Sequence, residues 1–261
     1  MYLNARSIYS QQFGTLSIEE LIAAALKKGL THLALTDINT AAGLGKFVRL
    51  AEEAGIRPIC GVEFRNEGEL LYIGLAKNTE GVRELRNFLE EYQSRRLPFP
   101  EHAPAFENVL TVYRFGGYLP ENLRENEYIG IRPTQLRSLG QDYKGLKSRF
   151  VVRQPITFTG KEGYDAHKSM LRINGPTPLG MLLSETVAHP DERILSKFEF
   201  SLMFSNHVDI LINTEKLLED CAPAYAAELD CVPDAILEPA SLAKLRRMHS
   251  DDDRMIQRIG A

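Results

Sequence analysis

The fold is indicated most clearly by residues 31–64, "THLALTDINTAAGLGKFVRLAEEAGIRPICGVEF". The stretch begins with THLALTD, a short apolar run that is typical of a buried parallel strand. LGKFVRLAEEAG follows, with apolar residues at helical spacing and a predicted helix end at Gly55. A second apolar run, IRPICGVEF, predicts another strand. Strand, helix and strand joined by short loops indicate a βαβ unit, and hence a parallel sheet or barrel with sites at the strand C-termini.

The alternation of strands and helices extends to both sides of this unit. The preceding segment predicts a short strand, a loop and a helix that has Ser17 as its N-cap, Glu20 as the partner in a capping box and Gly29 as its stop. On the other side, ELLYIGLA predicts a strand, and Asn78 or Thr79 caps a helix through EGVRELRNFLEEY. Three further strands are predicted at NVLTVYRF, EYIGIRP and RFVVRQPI, and a helix at YDAHKSMLRI.

The last part of the sequence is predicted to be helical. Helices are expected at ERILSKFEFSLMF, VDILINTEKLLEDC and SLAKLRRMHSDDDRMIQRIGA. The predicted division is therefore an α/β barrel at residues 1–190 and a helical extension at residues 191–261.

Composition and charge limit the classes of protein that fit. The 261 residues carry a net charge of −4, which gives no general electrostatic basis for tight DNA binding, although local basic patches are compatible with it. Cys60, Cys221 and Cys231 are an odd number without CxxC spacing, so a disulfide framework and a zinc site are both disfavoured. No signal peptide and no apolar run of membrane-spanning length is visible, so we expect a cytoplasmic protein with no membrane partner.

Several segments, in their order along the chain, resemble the PHP (polymerase and histidinol phosphatase) domain. They are SIYS, SIEEL, LALTD, GIRPICGVEF and AKN. The later stretch FEFSLMFSNHVDILINTEKLLEDC is similar to the segment that follows this domain in alpha subunits of bacterial DNA polymerase III. The resemblance implies a distorted (β/α)7 barrel with a C-terminal helical extension. It also implies a polymerase core beyond residue 261.

The resemblance also locates a metal site. Catalytic PHP domains hold metal ions with histidines and carboxylates, which supply lone pairs. The corresponding positions here, together with the neighbouring aspartate, are Asn4, Arg6, Phe13, Asp37, Ile38, Glu63, Leu71, Pro155 and Thr157. Only Glu63 keeps a ligand of the set, and a guanidinium at position 6 cannot donate a lone pair. We therefore expect a vestigial site without catalytic residues, metal or other cofactor, and magnesium only in the polymerase core.

The arginine at position 6 suggests an ion pair with buried carboxylates. Two buried carboxylates, Asp37 and Glu63, would need a cation once the metals are lost. We therefore expect the Arg6 guanidinium within hydrogen-bonding distance of Glu63, Asp37 or both, with Asn4 beside it as a neutral partner. The alternative is an Arg6 side chain that was acquired after the metals were lost and extends to water.

Other polar residues are interpreted as structural. Asp165 and His167 have the spacing of the lost terminal ligand pair but lie out of register, near the start of a helix. Asp37 is expected to hydrogen-bond a loop. The other histidines have no metal-ligand spacing; they are His32, His102, His189, His207 and His249. Two arginine pairs, Arg95–Arg96 and Arg246–Arg247, are interpreted as solvated helix faces, and SDDDR as an acidic helix start.

Three functions remain open from the sequence. The leading one is a degenerate PHP domain that supports a replicative polymerase and, in some bacteria, docks the separate proofreading exonuclease subunit. The second is a metal-dependent phosphoesterase or 3′–5′ exonuclease with a site rebuilt from Asp37, Glu63 and either Asp165 or His167. The third is a nucleic-acid-binding module with arginine clusters, which the net charge disfavours.

Overall fold

The computed structural model describes residues 3–10, 13–117, 123–139, 141–174 and 187–222. Six strands form one curled sheet in sequence order. They are β1 (His32–Ile38), β2 (Arg57–Asn66), β3 (Glu69–Ala76), β4 (Val109–Arg114), β5 (Glu127–Ile131) and β6 (Phe150–Val152).

A single residue, Ala5, joins the two edges of this sheet. It forms parallel bridges to Leu35 of β1 and to Ile156, which follows β6. On the β1 side its N–H donates to Ala34 O at 3.1 Å, and its carbonyl accepts from Thr36 N–H at 2.8 Å. On the other side the N–H of Arg6 donates to Ile156 O at 2.9 Å. The sheet therefore curls into a distorted barrel, which confirms the predicted fold class.

Within the ranges given above, six α-helices accompany the sheet. They are α1 (Ile18–Lys27), α2 (Leu44–Glu53), α3 (Thr79–Ser94), α4 (Lys161–Asn174), α5 (Lys197–Met203) and α6 (Val208–Glu219). The predicted caps are confirmed, because Ser17 and Glu20 form a reciprocal capping box and Asn78 accepts from Gly81 N–H at 3.0 Å. Two 3₁₀ helices, Pro133–Ser138 and Gln141–Arg149, connect β5 to β6.

Two details differ from the sequence prediction. β3 runs antiparallel to both of its neighbours, whereas a parallel sheet was expected. The cause is a two-residue hairpin loop, Glu67–Gly68, in which both residues have positive φ (47° and 91°), a conformation that suits glycine. Helix α5 begins at Lys197 and not at Glu192, because Ser196 caps it and forms a capping box with Glu199.

Helix α6 covers the end of the barrel where the parallel strands begin. Its Leu217 and Leu218 belong to the same buried cluster as Ile59 of β2 and Leu110 of β4. The side chain of Arg57, at the start of β2, donates to the carbonyl of Cys221. The opposite end of the barrel, where these strands end, is left for the site described next.

Candidate functional site: an arginine-lined barrel mouth

Arginines stand at the C-terminal ends of the strands. β1, β2, β4, β5 and β6 all point toward the same end of the barrel, because only β3 is reversed. Along the chain, an arginine lies at or next to the end of four of these strands and directly after the bridging residue Ala5. These residues are Arg6, Arg65, Arg114, Arg132 and Arg153. This is the end at which barrels of parallel strands place their sites.

Arg6 lies at the centre of the mouth and is 1% exposed. Its Nε and Nη2 donate to the two carboxylate oxygens of Glu63 at 2.8 and 3.2 Å. Its Nη1 donates to Glu192 Oε2 at 2.7 Å and to Thr157 Oγ1 at 2.8 Å. Burial opposes the positive charge, but Glu63 and Glu192 more than compensate and raise the pKa of Arg6. Arg6 is therefore a buried cation held between two carboxylates.

Both oxygens of Glu63 are fully engaged. Oε2 accepts from Arg6 Nε and from Asn4 Nδ2, the latter at 2.6 Å. Oε1 accepts from Arg6 Nη2 and from the Nε of Arg65. Burial alone would raise the pKa of Glu63, but the two guanidiniums lower it to about 2. The arrangement expected for Arg6, Glu63 and Asn4 is thus observed.

A second carboxylate, Glu192, reaches the site from the loop between α4 and α5. Its Oε2 accepts from Thr157 Oγ1 at 2.6 Å as well as from Arg6, and its Oε1 accepts from Arg132 Nη1 at 3.3 Å. Burial opposes ionisation of Glu192, but Arg6 and Arg132 outweigh it and lower its pKa. The Thr157 hydroxyl therefore bridges the Arg6 guanidinium and the Glu192 carboxylate.

Phe13 occupies the space between two guanidiniums. The Cζ atoms of Arg6 and Arg65 lie 4.8 and 4.7 Å from its ring centroid. Cation–π contacts of this kind stabilise a cation that has been removed from water. His167 holds the Phe13 backbone, because its Nε2 accepts from Ala188 N–H at 2.9 Å, which leaves Nδ1 to donate to Phe13 O at 2.9 Å.

Asp37 is separate from the arginine network. Its carboxylate accepts from Ser7 N–H at 2.6 Å, from Ser7 Oγ at 2.7 Å and from Ser10 Oγ at 2.6 Å. Burial raises its pKa against the effect of these hydrogen bonds. The predicted role in binding a loop is confirmed, and the possible contact between Asp37 and Arg6 is not formed.

The site does not fit a catalytic metal cluster. The lone pairs of Glu63 are taken by three donor side chains, and a guanidinium fills the space beside it. Among the residues the structure describes, no three His, Cys, Asp or Glu side chains converge as a metal-binding group. A divalent ion placed here would meet Arg6 and Arg65, which repel it and offer no lone pair.

The other positions that the resemblance assigns to the metal site take no part in the arginine network. Ile38 is partly buried and packs with Phe13 in a small apolar cluster. Leu71 packs against the main core, and its neighbour Leu70 lines the mouth instead. Pro155 is buried between the strand-end residue Arg153 and the barrel-closing Ile156.

The Asp165–His167 pair does not form a site. Asp165 lies in the second turn of α4, where it is exposed and pairs with Lys168 at 2.7 Å. His167 is fully buried, and burial lowers its pKa below the ordinary value. One side chain is therefore at the surface and the other is in the interior, as expected for structural residues.

The other sequence predictions have mixed outcomes. His189 is exposed, contacts Asp191 at 2.6 Å and lines the mouth. Arg95 and Arg96 are exposed, as predicted, but both follow the last residue of α3; Arg95 pairs with Glu91 of that helix. Cys60 and Cys221 are buried free thiols. The following residues and segments lie outside the described residues: Cys231, Arg246–Arg247, His249, SDDDR and the last predicted helix.

The site contains residues that the sequence analysis missed. Arg65, Arg114, Arg132 and Arg153 were not singled out, although the strands VEFR, VYR, GIR and VVR share a terminal arginine that could have marked them. Glu192 had no such signal, because it was assigned to a helix and in fact precedes one.

Comparison with known proteins gives a consistent result. Residues 3–116 match the model of the PHP domain family. The DNA polymerase III subunit alpha of Borreliella burgdorferi is 40% identical in an alignment of 192 positions, gaps included, that covers 62% of this chain and 17% of that protein. The DNA polymerase III subunit alpha of Staphylococcus aureus (strain COL) is 29% identical in an alignment of 275 positions, gaps included, that covers 99% of this chain and 25% of that protein.

A solved amidohydrolase from Chromobacterium violaceum aligns with 36% of this chain and 34% of its own, at 26% identity and a TM-score of 0.31. That similarity is too weak to use as an argument. The chain spans between 8% and 25% of the length of the curated relatives it matches.

Proposed function

We propose that this chain, which carries a PHP domain and is homologous to DNA polymerase III alpha subunits, is a catalytically degenerate PHP domain that acts as a structural and docking scaffold. The observation that carries the proposal is the Arg6 guanidinium, bound to Glu63 and Glu192 in the position of the family's metal site. Template-directed DNA synthesis and its magnesium are proposed only for the longer alpha subunit.

The rival function, a rebuilt phosphoesterase or exonuclease, lacks support from the geometry. Its candidate residues are dispersed: Asp37 binds two serines, Asp165 binds a partly buried lysine, and His167 binds backbone groups. Glu63 is the only one of the four in contact with the mouth arginines, and its oxygens have no lone pair left for a metal ion.

The scaffold role requires a surface for a partner, and α5 and α6 provide a candidate. Phe198 and Leu202 lie four residues apart on α5 and are 76% and 67% exposed. Val208 and Ile212 repeat this spacing on α6 and are about half exposed. We call these four residues the apolar face. Exposed apolar side chains at such spacing are typical of helices that dock a partner.

We assign the remainder of the alpha subunit as the occupant of the apolar face. The Staphylococcus aureus relative is covered to only 25% of its length, so most of a homologous polymerase would remain to be accommodated. The proofreading exonuclease subunit is a second candidate partner. We also propose that the protein acts in the cytoplasm, because bacterial DNA is replicated there. Within the described ranges, none of the helices has the length and apolarity needed to traverse a bilayer.

A split polymerase tests the scaffold role. This chain and the rest of the alpha subunit are produced as separate polypeptides and mixed, and their association is measured by calorimetry. We expect the wild-type chain to bind, and the double variant Phe198→Asp/Leu202→Asp to bind at least about tenfold more weakly, because two buried contacts are lost.

The matched control is Arg83→Asp, an exposed residue on α3 that is remote from the apolar face in sequence. It should leave the affinity unchanged. No association of the wild-type chain, or equal affinity for the double variant and the control, would contradict the assignment. The exonuclease subunit is tested in the same way.

A further inference from the structure

The barrel mouth contains a cavity of about 280 Å³. Five arginines line it, and among the described lining residues Glu192 is the only carboxylate. The arginines are Arg6, Arg65, Arg114, Arg132 and Arg153. Four of these arginines have carboxylate partners; the pairs are Arg6–Glu63, Arg65–Glu63, Arg132–Glu192 and Arg114–Glu69.

Arg153 is the exception. It is 7% exposed, and within the part of the chain that the structure describes its side chain has no carboxylate partner and its Nε–H donates to no acceptor. The Nε of Arg132 also lacks a partner. Burial, together with the charges of Arg132 and Arg6, lowers the pKa of Arg153 to about 9, so the side chain is still charged at neutral pH. A buried, unpaired guanidinium is costly unless an anion accompanies it.

The surroundings of Arg153 are suited to an oxyanion. Arg132, Gln135 and His189 line the same cavity and offer further donors. A guanidinium presents two parallel N–H groups that match the oxygens of a phosphate or carboxylate. The metal ions that catalytic PHP domains hold do not fit here, because of the contacts of Glu63 and Arg6 described above.

We propose that this cavity is a metal-independent binding site for a small phosphate-class oxyanion, with Arg153 as its principal ligand and Arg132 and His189 as further donors. This goes beyond the scaffold function, which does not depend on it. The cavity has room for an inorganic phosphate or a pyrophosphate with water. A DNA strand is a poorer fit, because Arg153 is almost fully buried and the chain as a whole is negatively charged.

Calorimetric titration of the full chain with inorganic phosphate, in buffer containing EDTA, tests this site. We expect saturable binding by the wild type and binding at least about tenfold weaker by Arg153→Met, because the principal charge-assisted contacts are lost. The control Arg95→Met removes an exposed arginine of α3 and should bind phosphate as the wild type does.

Thermal unfolding provides a check on folding. In phosphate-free buffer Arg153→Met should melt at the wild-type temperature or above it, because methionine fills the space without a buried unpaired charge. Added phosphate should raise the melting temperature of the wild type and of Arg95→Met only. If Arg153→Met does not unfold cooperatively, Arg153→Lys, which keeps the charge but not the planar fork, should show a smaller loss of binding.

Two outcomes would overturn the proposal: no saturable phosphate binding by the wild type in the presence of EDTA, or equal binding by the wild type and Arg153→Met. Pyrophosphate and a single-stranded oligonucleotide are titrated in parallel. Tighter binding of the oligonucleotide that depends on Arg153 would overturn the assignment of a small ion, whereas tighter binding of pyrophosphate would support it. None of these results would affect the split-polymerase test.

Discussion

Replacement of Arg6 by alanine is expected to reduce the free energy of unfolding by about 3–5 kcal/mol, the typical cost of removing one partner from a buried ion pair. The variant leaves Glu63 and Glu192 buried, each with one guanidinium fewer. It also removes the donor to Thr157 Oγ1 and the cation that contacts the Phe13 ring. Urea denaturation at neutral pH measures the loss.

The matched control for this prediction is Arg83→Ala, which removes an exposed arginine paired with Glu80 at 2.7 Å. An exposed pair of this kind contributes about 1 kcal/mol or less. Adding Glu63→Gln to Arg6→Ala should recover part of the loss, because one uncompensated charge disappears. Equal losses for Arg6→Ala and Arg83→Ala would show that the buried network contributes no more than a surface pair.

The pH dependence of stability provides the second large effect. The pKa of Glu63 is lowered from the ordinary value of 4.5 to about 2 in the folded protein. A carboxyl group with a depressed folded pKa stabilises the fold above the unfolded pKa, and this contribution is lost as the pH falls toward the folded pKa. The shift corresponds to about 3 kcal/mol at neutral pH, at roughly 1.4 kcal/mol per unit.

The contribution of Glu63 is isolated by comparing the wild type with Glu63→Gln. The difference in their unfolding free energies should be largest above pH 4.5 and should shrink steadily between about pH 4.5 and pH 2. Glu80→Gln, on the exposed surface, serves as the control and should differ little from the wild type throughout. A wild-type to Glu63→Gln difference that stays constant across this window would contradict the proposed ionised, doubly paired Glu63.

Local features of the fold could be predicted where short-range chemistry decides them. The capping box of Ser17 and Glu20 and the cap at Asn78 depend on residues three positions apart, so the sequence contains all the necessary information. The reversal of β3 was missed because the decisive signal, the Glu67–Gly68 hairpin loop, was not recognised as a two-residue turn.

The candidate site was only partly predictable for a related reason. Arg6 and Glu63 are separated by 57 positions, yet the resemblance to the PHP domain placed both at the same metal site. Glu192 joins them from 186 positions away in an irregular segment, for which no periodicity exists. The division of the chain at residue 190 stays a prediction, although Glu192 and α6 both contact the barrel.

The central claim is that an arginine-based ion-pair network has replaced the metal cluster and its chemistry. The most direct test is metal analysis of the purified chain after exposure to manganese, zinc and iron, combined with a manganese-dependent assay on a nitrophenyl phosphodiester. The account predicts a metal content far below stoichiometric and no hydrolysis. Stoichiometric metal together with hydrolysis that Glu63→Ala abolishes would contradict it.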